Sequence, residues 1–262
     1  MSEFLTLRQA VLGPLLECDA VRKAERTAAL PLDLPIGSEL TVGAPRGIPG
    51  RPEHPRLIPH TRMRQGAVGS SEGRARLVHA IAHIELNAID LALDIVWRFP
   101  GMPADFYRDW LRVAREEAHH FLLLRAHLVG MGFDYGAFDA HNGLWEMAER
   151  TRDDLLARLA LVPRTLEARG LDASPGVRAK LVGAGDARAG EILDLILAEE
   201  IGHVAIGNRW YRHVCAERGL DPRRTDAELA QRYEAPRPRA PFNLAARRAA
   251  GFDEDELADL VR

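Results

Sequence analysis

The chain has 262 residues, of which 47% are hydrophobic, and its formal net charge at pH 7 is −3. This length allows one large domain or two, and the apolar content is enough for a substantial core, which excludes a disordered or fibrous protein. The small negative charge argues against a general nucleic-acid-binding protein, although an average can conceal a local basic patch.

The N-terminus and the cysteine content set two further limits. The first residues, MSEFLTLRQAVLGPLLECD, lack a basic start and have interrupted apolar stretches, so they fit neither a signal peptide nor a membrane span. We therefore expect a cytoplasmic protein without a membrane partner. Cys18 and Cys215 are too few for a disulfide framework or a four-cysteine zinc site. Any metal site must use oxygen and nitrogen ligands.

The predicted elements are helices from one end of the chain to the other. Residues 3–30 predict one or two short helices, and residues 31–70, rich in proline, glycine and arginine, predict an extended arm. Four long helices are then expected at about 71–100, 103–130, 144–169 and 185–219, with Pro163 kinking the third helix and Gly170 ending it. A last short helix is expected near 253–261.

This pattern predicts an all-α protein built on a ferritin-like four-helix bundle. We expect residues 1–70 to form helices and an extended arm that pack on the bundle. Residues 71–220 would form the bundle itself, and residues 221–262 a helical tail that crosses it.

The sequence EExxH occurs twice, once in the second long helix and once in the fourth. Its positions are Glu116, Glu117 and His120, then Glu199, Glu200 and His203. Apolar residues spaced by three and four place Glu117 and His120 on the inward stripe of their helix, and Glu200 and His203 on that of theirs. The wetter stripe of the second helix is expected to contain Asp109, Arg112, Glu116 and His119.

Two more glutamates fit the same core. Glu85 interrupts an apolar stripe of the first helix, and Glu167 lies on the inward stripe of the third, where Glu146 and Glu149 are less favoured substitutes. Glu85 precedes Glu117 by 32 residues, and Glu167 precedes Glu200 by 33. The chain therefore resembles two copies of one helical hairpin.

The charge of this set predicts metal ions. Four buried carboxylates are costly unless they are compensated, and two divalent ions supply the four positive charges required. One Glu from each of two helices with Glu-x-x-His from the other two is the ligand set of di-iron and di-manganese bundles. We expect two ions per chain, with iron favoured over manganese. The predicted ligands are Glu85, Glu117, His120, Glu167, Glu200 and His203.

A metal-bound histidine usually donates its other ring N–H to a carboxylate or a carbonyl. Glu116 and Glu199 are the candidates for this role. We expect a crossed arrangement, in which Glu199 accepts from His120 and Glu116 accepts from His203. The alternative for Glu116 is a solvated acid.

His79 and His83 lie four residues apart on the first helix but lack the glutamate that a zincin motif requires. Core packing or an inter-helix hydrogen bond is the favoured interpretation for His83.

Several stretches resemble an uncharacterised ferritin-like family, domain of unknown function 455. They are HAIAHIELNAIDLALD, DWLRVAREEAHHF, ALVPRTLEARGLD and ILAEEIGHVAIGNRWY. The resemblance covers most of residues 45–252 and agrees with the six ligand positions. The family is similar, more distantly, to tRNA-hydroxylating di-iron monooxygenases.

The expected function is that of an oxidoreductase whose dinuclear centre activates oxygen or peroxide on a small-molecule substrate, with an electron donor as partner. The alternatives are iron storage or detoxification, and tRNA hydroxylation. The segment from Arg46 to Arg76 contains seven arginines but only two acids, Glu53 and Glu72. This excess of positive charge could bind RNA. Pairing with acidic faces of the same protein or of a second subunit is favoured. The sequence leaves a homodimer open.

Overall fold

The structure is a computed structural model, and it describes residues 5–63 and 66–261. Within these ranges the chain is helical, and its one β-type contact is an isolated bridge between Leu57 and Ala140. The all-α fold class is therefore confirmed. The chain divides into two compact units, the first ending at Trp145 and the second starting at Glu146. The ferritin-like topology and the division at residues 70 and 220 stay predictions.

The first unit consists of short N-terminal helices, an irregular segment and two long helices. They are α1 (Leu7–Ala10), α2 (Leu12–Leu15), α3 (Ala20–Ala28), a 3₁₀ turn (His60–Arg62), α4 (Ser71–Arg98) and α5 (Ala104–Gly130). The expected arm is thus irregular chain with one 3₁₀ turn. The next helix, α6 (Gly143–Arg150), contains the boundary between the units.

Helix α4 starts and ends where the sequence predicts. The Ser70 side chain accepts a hydrogen bond of 3.0 Å from the Gly73 N–H and caps the first turn. The helix ends at Arg98, because Phe99 precedes a proline and is extended. Every residue from Glu85 to Trp97 is buried. A helix that is buried on all sides forms the centre of a core, and α4 packs against α5 in this way.

A buried ion pair joins the N-terminal helices to α4. Lys23 is fully buried and donates to Asp90, to the Gly50 carbonyl at 2.9 Å and to the Leu15 carbonyl at 3.3 Å. Burial raises the pKa of Asp90, although Lys23 and Arg51 both act to lower it. The pair anchors α3 and the irregular segment to the central helix.

Arginines of the predicted arm contact acids of the same chain. Arg56 pairs with Asp139 at 3.0 Å, and Arg76 pairs with Glu72 at 2.5 Å. Arg64, which also contributed to the predicted excess of charge, lies outside the described residues.

The second unit contains a distorted helix, two longer helices and a helical tail. They are α7 (Leu155–Leu161), a π-helical segment (Val162–Glu167), α8 (Ala168–Gly183), α9 (Ala187–Glu217), α10 (Pro222–Arg232), α11 (Leu244–Ala249) and α12 (Glu254–Leu260). The tail packs on α8 and α9 through a cluster that includes Val204, Phe252 and Leu257. The last helix lies where it was expected.

The prediction for the third long helix is wrong at two points. The chain leaves the helix after Arg150 and starts again at Leu155, because the Asp154 side chain accepts from the Ala157 N–H at 3.2 Å and caps a new helix. Gly170 does not end the helix, which continues to Gly183. An interior glycine costs only about 1 kcal/mol, which the packing of the buried Leu171 and its neighbours offsets. The expected distortion at Pro163 is present as the π-helical segment.

No helix in the described part of the chain is both long enough and apolar enough to span a membrane.

We expect Lys23→Met to lower the free energy of unfolding by about 3 kcal/mol, because it leaves the Asp90 carboxylate buried without its main partner. The exposed Lys180 is the matched control, and Lys180→Met should change the free energy by less than about 0.5 kcal/mol. Denaturant unfolding measures both. Adding Asp90→Asn to Lys23→Met should recover part of the loss, and equal effects of the two lysine variants would contradict this assignment.

Candidate metal centre

The first unit contains a buried group of two carboxylates and one imidazole. Glu85 comes from α4, and Glu117 and His120 come from α5; their exposed fractions are 4%, 1% and 0%. Nδ1 of His120 is 3.2 Å from Oε2 of Glu85 and 3.4 Å from Oε2 of Glu117. One potential ligand atom from each residue lies within 4.8 Å of the other two. We call this group the first half-site.

The electrostatics of the first half-site favour positive charge. Burial and the neighbouring charge of Glu117 raise the pKa of Glu85 to about 8. Burial alone would lower the pKa of His120, but its contacts with Glu117 and Glu85 raise this pKa to about 11. The carboxylates therefore attract a cation to this position, and either a proton or a metal ion can supply the charge.

The second unit repeats the Glu-x-x-His pair on α9. Oε1 of Glu200 is 3.4 Å from Nδ1 of His203, the same separation as that between Oε2 of Glu117 and Nδ1 of His120. His203 is 1% exposed, and the Glu200 side chain is 13% exposed. Glu167, the third predicted ligand from this part of the sequence, is half-buried at the end of the π-helical segment. We call Glu200 and His203, with Glu167 as their predicted third ligand, the second half-site.

The π-helical segment results from Pro163, which has no N–H to donate and whose ring disfavours regular helix. Thr165 Oγ1 donates to the carbonyl of Ala160, five residues earlier, at 2.9 Å. Such segments occur mostly as single turns within α-helices and often at functional sites. Here the segment ends at Glu167.

A glycine allows α9 to approach this segment closely. A Cβ atom added to Gly207 would lie 2.5 Å from the Cβ of Pro163, a distance that real side chains do not adopt. Gly207 lies one turn beyond His203, and Glu167 lies one turn beyond Pro163. The contact therefore holds the parts of the chain that contain the second half-site against each other.

The burial of neighbouring residues distinguishes the two faces of α5. His119 is exposed and Glu116 is half-buried, whereas Glu117 and His120 are buried, as the spacing predicts. The expectation for Asp109 is wrong, because this residue is only 7% exposed and lies between the buried Phe106 and Val113.

Glu146 and Glu149, the substitutes considered for Glu167, are exposed on α6. Glu199 is half-buried. The crossed acceptor roles of Glu116 and Glu199 stay predictions.

Two buried histidines of α4, His79 and His83, form hydrogen bonds to the loop that follows α5. Nδ1 of His83 is 2.8 Å from the Tyr135 hydroxyl and its Nε2 is 3.0 Å from the His141 carbonyl, while His79 Nε2 accepts from the Gly136 N–H at 3.0 Å. Burial lowers the pKa of His79 to about 4 and that of His83 to about 3, so both rings are neutral. His83 is buried and hydrogen-bonded as expected, but its partners lie in a loop and not on another helix. Sequence spacing could not identify Tyr135 as its partner, because Tyr135 lies in a loop.

We expect Gly207→Ala to displace α9 from the π-helical segment, lower the free energy of unfolding by about 1–3 kcal/mol, and weaken metal binding by the second half-site. Gly202, on the exposed side of the same helix, is the control because a Cβ there meets nothing within 4 Å. Gly202→Ala should raise the stability by about 0.5–1 kcal/mol. Thermal unfolding and metal titration of both variants test this difference, which would be absent if the close approach were unimportant.

Comparison with known proteins identifies the family. A family model described as "Protein of unknown function (DUF455)" matches residues 16–258. A protein of Haemophilus influenzae (strain ATCC 51907 / DSM 11121 / KW20 / Rd), described as "Uncharacterized protein", is 47% identical over 213 residues, which are 79% of this chain and 74% of that protein. No solved structure matches the chain. The resemblance to this family is therefore confirmed, and the chain belongs to the DUF455 family.

Proposed function

We propose that the protein is a dinuclear non-haem metal protein that acts as an oxidoreductase and uses oxygen or peroxide to oxidise a small-molecule substrate. The first half-site is the observation that carries the proposal. Its two carboxylates and one imidazole, almost fully buried and with ligand atoms within 4.8 Å, fit a divalent cation.

Charge supports one ion for each half-site. Two carboxylates placed together in a core cost several kcal/mol each unless a positive charge compensates them. One divalent ion would neutralise Glu85 and Glu117, and a second would neutralise Glu167 and Glu200. The matching Glu-x-x-His geometry of α5 and α9 supports the same role for both half-sites.

The donor atoms favour iron or manganese. Carboxylate oxygens and imidazole nitrogens suit these metals, whereas a structural zinc site more often uses thiolates. Neither cysteine belongs to a half-site: Cys18 is exposed, and Cys215 is buried on α9 twelve residues beyond His203. When bound, such ions supply redox chemistry and an open position for a reactant. The six predicted ligands would hold the ions, and the burial of the first half-site would keep bulk water away from its ion.

Metal analysis of protein purified without chelator should find about two ions of iron or manganese per chain. An absence of metal, or a single zinc ion, would contradict the proposal. Iron uptake far above two ions per chain, into a mineral, would instead support storage. Turnover of a substrate with consumption of oxygen or peroxide, dependent on the bound metal, would separate an oxidoreductase from both.

Neighbouring residues on α5 provide a matched test of the ligands. His120→Ala and Glu117→Ala should each lose at least the ion of the first half-site, because a ligand is removed from a buried position. His119→Ala and Glu116→Ala, which alter the adjacent exposed and half-buried positions, should keep most of the metal. Glu200→Ala should behave like Glu117→Ala. The measurement is metal content after gel filtration, and similar losses in all the variants would refute the assignment of faces.

A further inference from the structure

A groove runs along the outer side of α5, in the first unit, opposite the chain that follows α3. It has a volume of about 540 Å³, and charged or polar side chains of α5 line it together with Ala28 and Leu32. Arg108, Arg112, Arg115 and His119 follow one another along α5 at spacings of four, three and four residues, so their side chains share one face of the helix. This face is distinct from the buried one that contains Glu117 and His120.

The groove has an excess of positive charge. Arg108 contacts Asp105 at 3.4 Å, a weak exposed pair at the start of the helix. Among the described residues that line the groove, Glu116 is the one acid. Arg112 and Arg115 form no ion pair within the described residues. Cations one turn apart on a helix repel each other. An anion bound between them would attract both, and this attraction would offset the repulsion.

The side chains and the size of the groove indicate the class of anion. Guanidinium groups present parallel N–H donors that match the oxygens of a phosphate group. The volume is typical of small-molecule sites, which span roughly 300–1,000 Å³. Ala28 and Leu32 add an apolar wall, which suits the uncharged part of a phosphate ester. None of the described residues that line the groove is a phenylalanine, tyrosine or tryptophan, so these residues provide no stacking surface of the kind that single-stranded RNA requires.

We infer that this groove binds a small phosphorylated molecule, with Arg112 and Arg115 as the main contacts to its phosphate and Arg108 and His119 at the two ends. The site shares no proposed metal ligand, because its four cationic side chains lie on the other face of α5 from Glu117 and His120.

The test is calorimetric titration of the full-length protein with inorganic pyrophosphate and, separately, with inorganic phosphate. Wild-type protein should bind pyrophosphate more tightly than phosphate. Arg112→Gln/Arg115→Gln should weaken pyrophosphate binding by about tenfold or more, because two charged donors are lost. The control is Arg188→Gln/Arg224→Gln, which removes the same charge from exposed arginines of α9 and α10 and should leave binding unchanged.

Each result decides the inference. Equal binding by the two double variants, or no pyrophosphate binding by wild-type protein, would overturn it. A single-stranded RNA oligonucleotide that binds far more tightly than pyrophosphate, and loses this affinity in Arg112→Gln/Arg115→Gln, would replace the small ligand with RNA and also overturn it. Metal content, measured on the same samples, should be the same in both double variants and in wild-type protein. The pyrophosphate result therefore stands or fails separately from the metal proposal.

Discussion

Two carboxylates and an imidazole share one place in the core of the first unit, and the cost of burying them together constrains the helices around them. Glu85 and Glu117 lie on different helices, so their charges can meet a common cation only while α4 and α5 stay packed. The high pKa of His120 has the same origin, because the two acids stabilise a positive charge beside them. A positive charge beside Glu85 and Glu117, from a proton or a metal ion, therefore also stabilises the packing of α4 against α5.

The surroundings of this group resist local rearrangement. Helix α4 is buried on all sides beyond Glu85, and about 1.4 turns further along it Asp90 pairs with the buried Lys23 from α3. His79 and His83 join the preceding turns of α4 to the loop after α5. The helix that contributes Glu85 is thus held on both sides of that residue, which would suit the metal-binding role that we propose for it.

In the second unit, the predicted metal ligands lie on a different local structure. Its Glu-x-x-His pair lies on a regular helix, but Glu167, the predicted third ligand, lies at the end of a π-helical turn that Pro163 imposes. Gly207 has no side chain, so α9 can contact this turn directly. Helix α5, in contrast, uses both of its faces: buried acids and an imidazole on one, and a row of arginines beside a groove on the other. We propose a metal ion for the first face and a phosphorylated ligand for the second.

The sequence by itself determined the features that depend on local periodicity. The bounds of α4, α5 and α9 follow from caps, prolines and glycines, and the burial of Glu117 and His120 beside an exposed His119 follows from 3.6 residues per turn. Only the tertiary structure decided the features that depend on residues far apart in the chain. Lys23 meets Asp90 across 67 positions, and Gly207 accommodates Pro163 across 44. The helix continues past Gly170 and Asp109 is buried because long-range packing outweighs local preference, which no pattern of neighbours in the sequence can express.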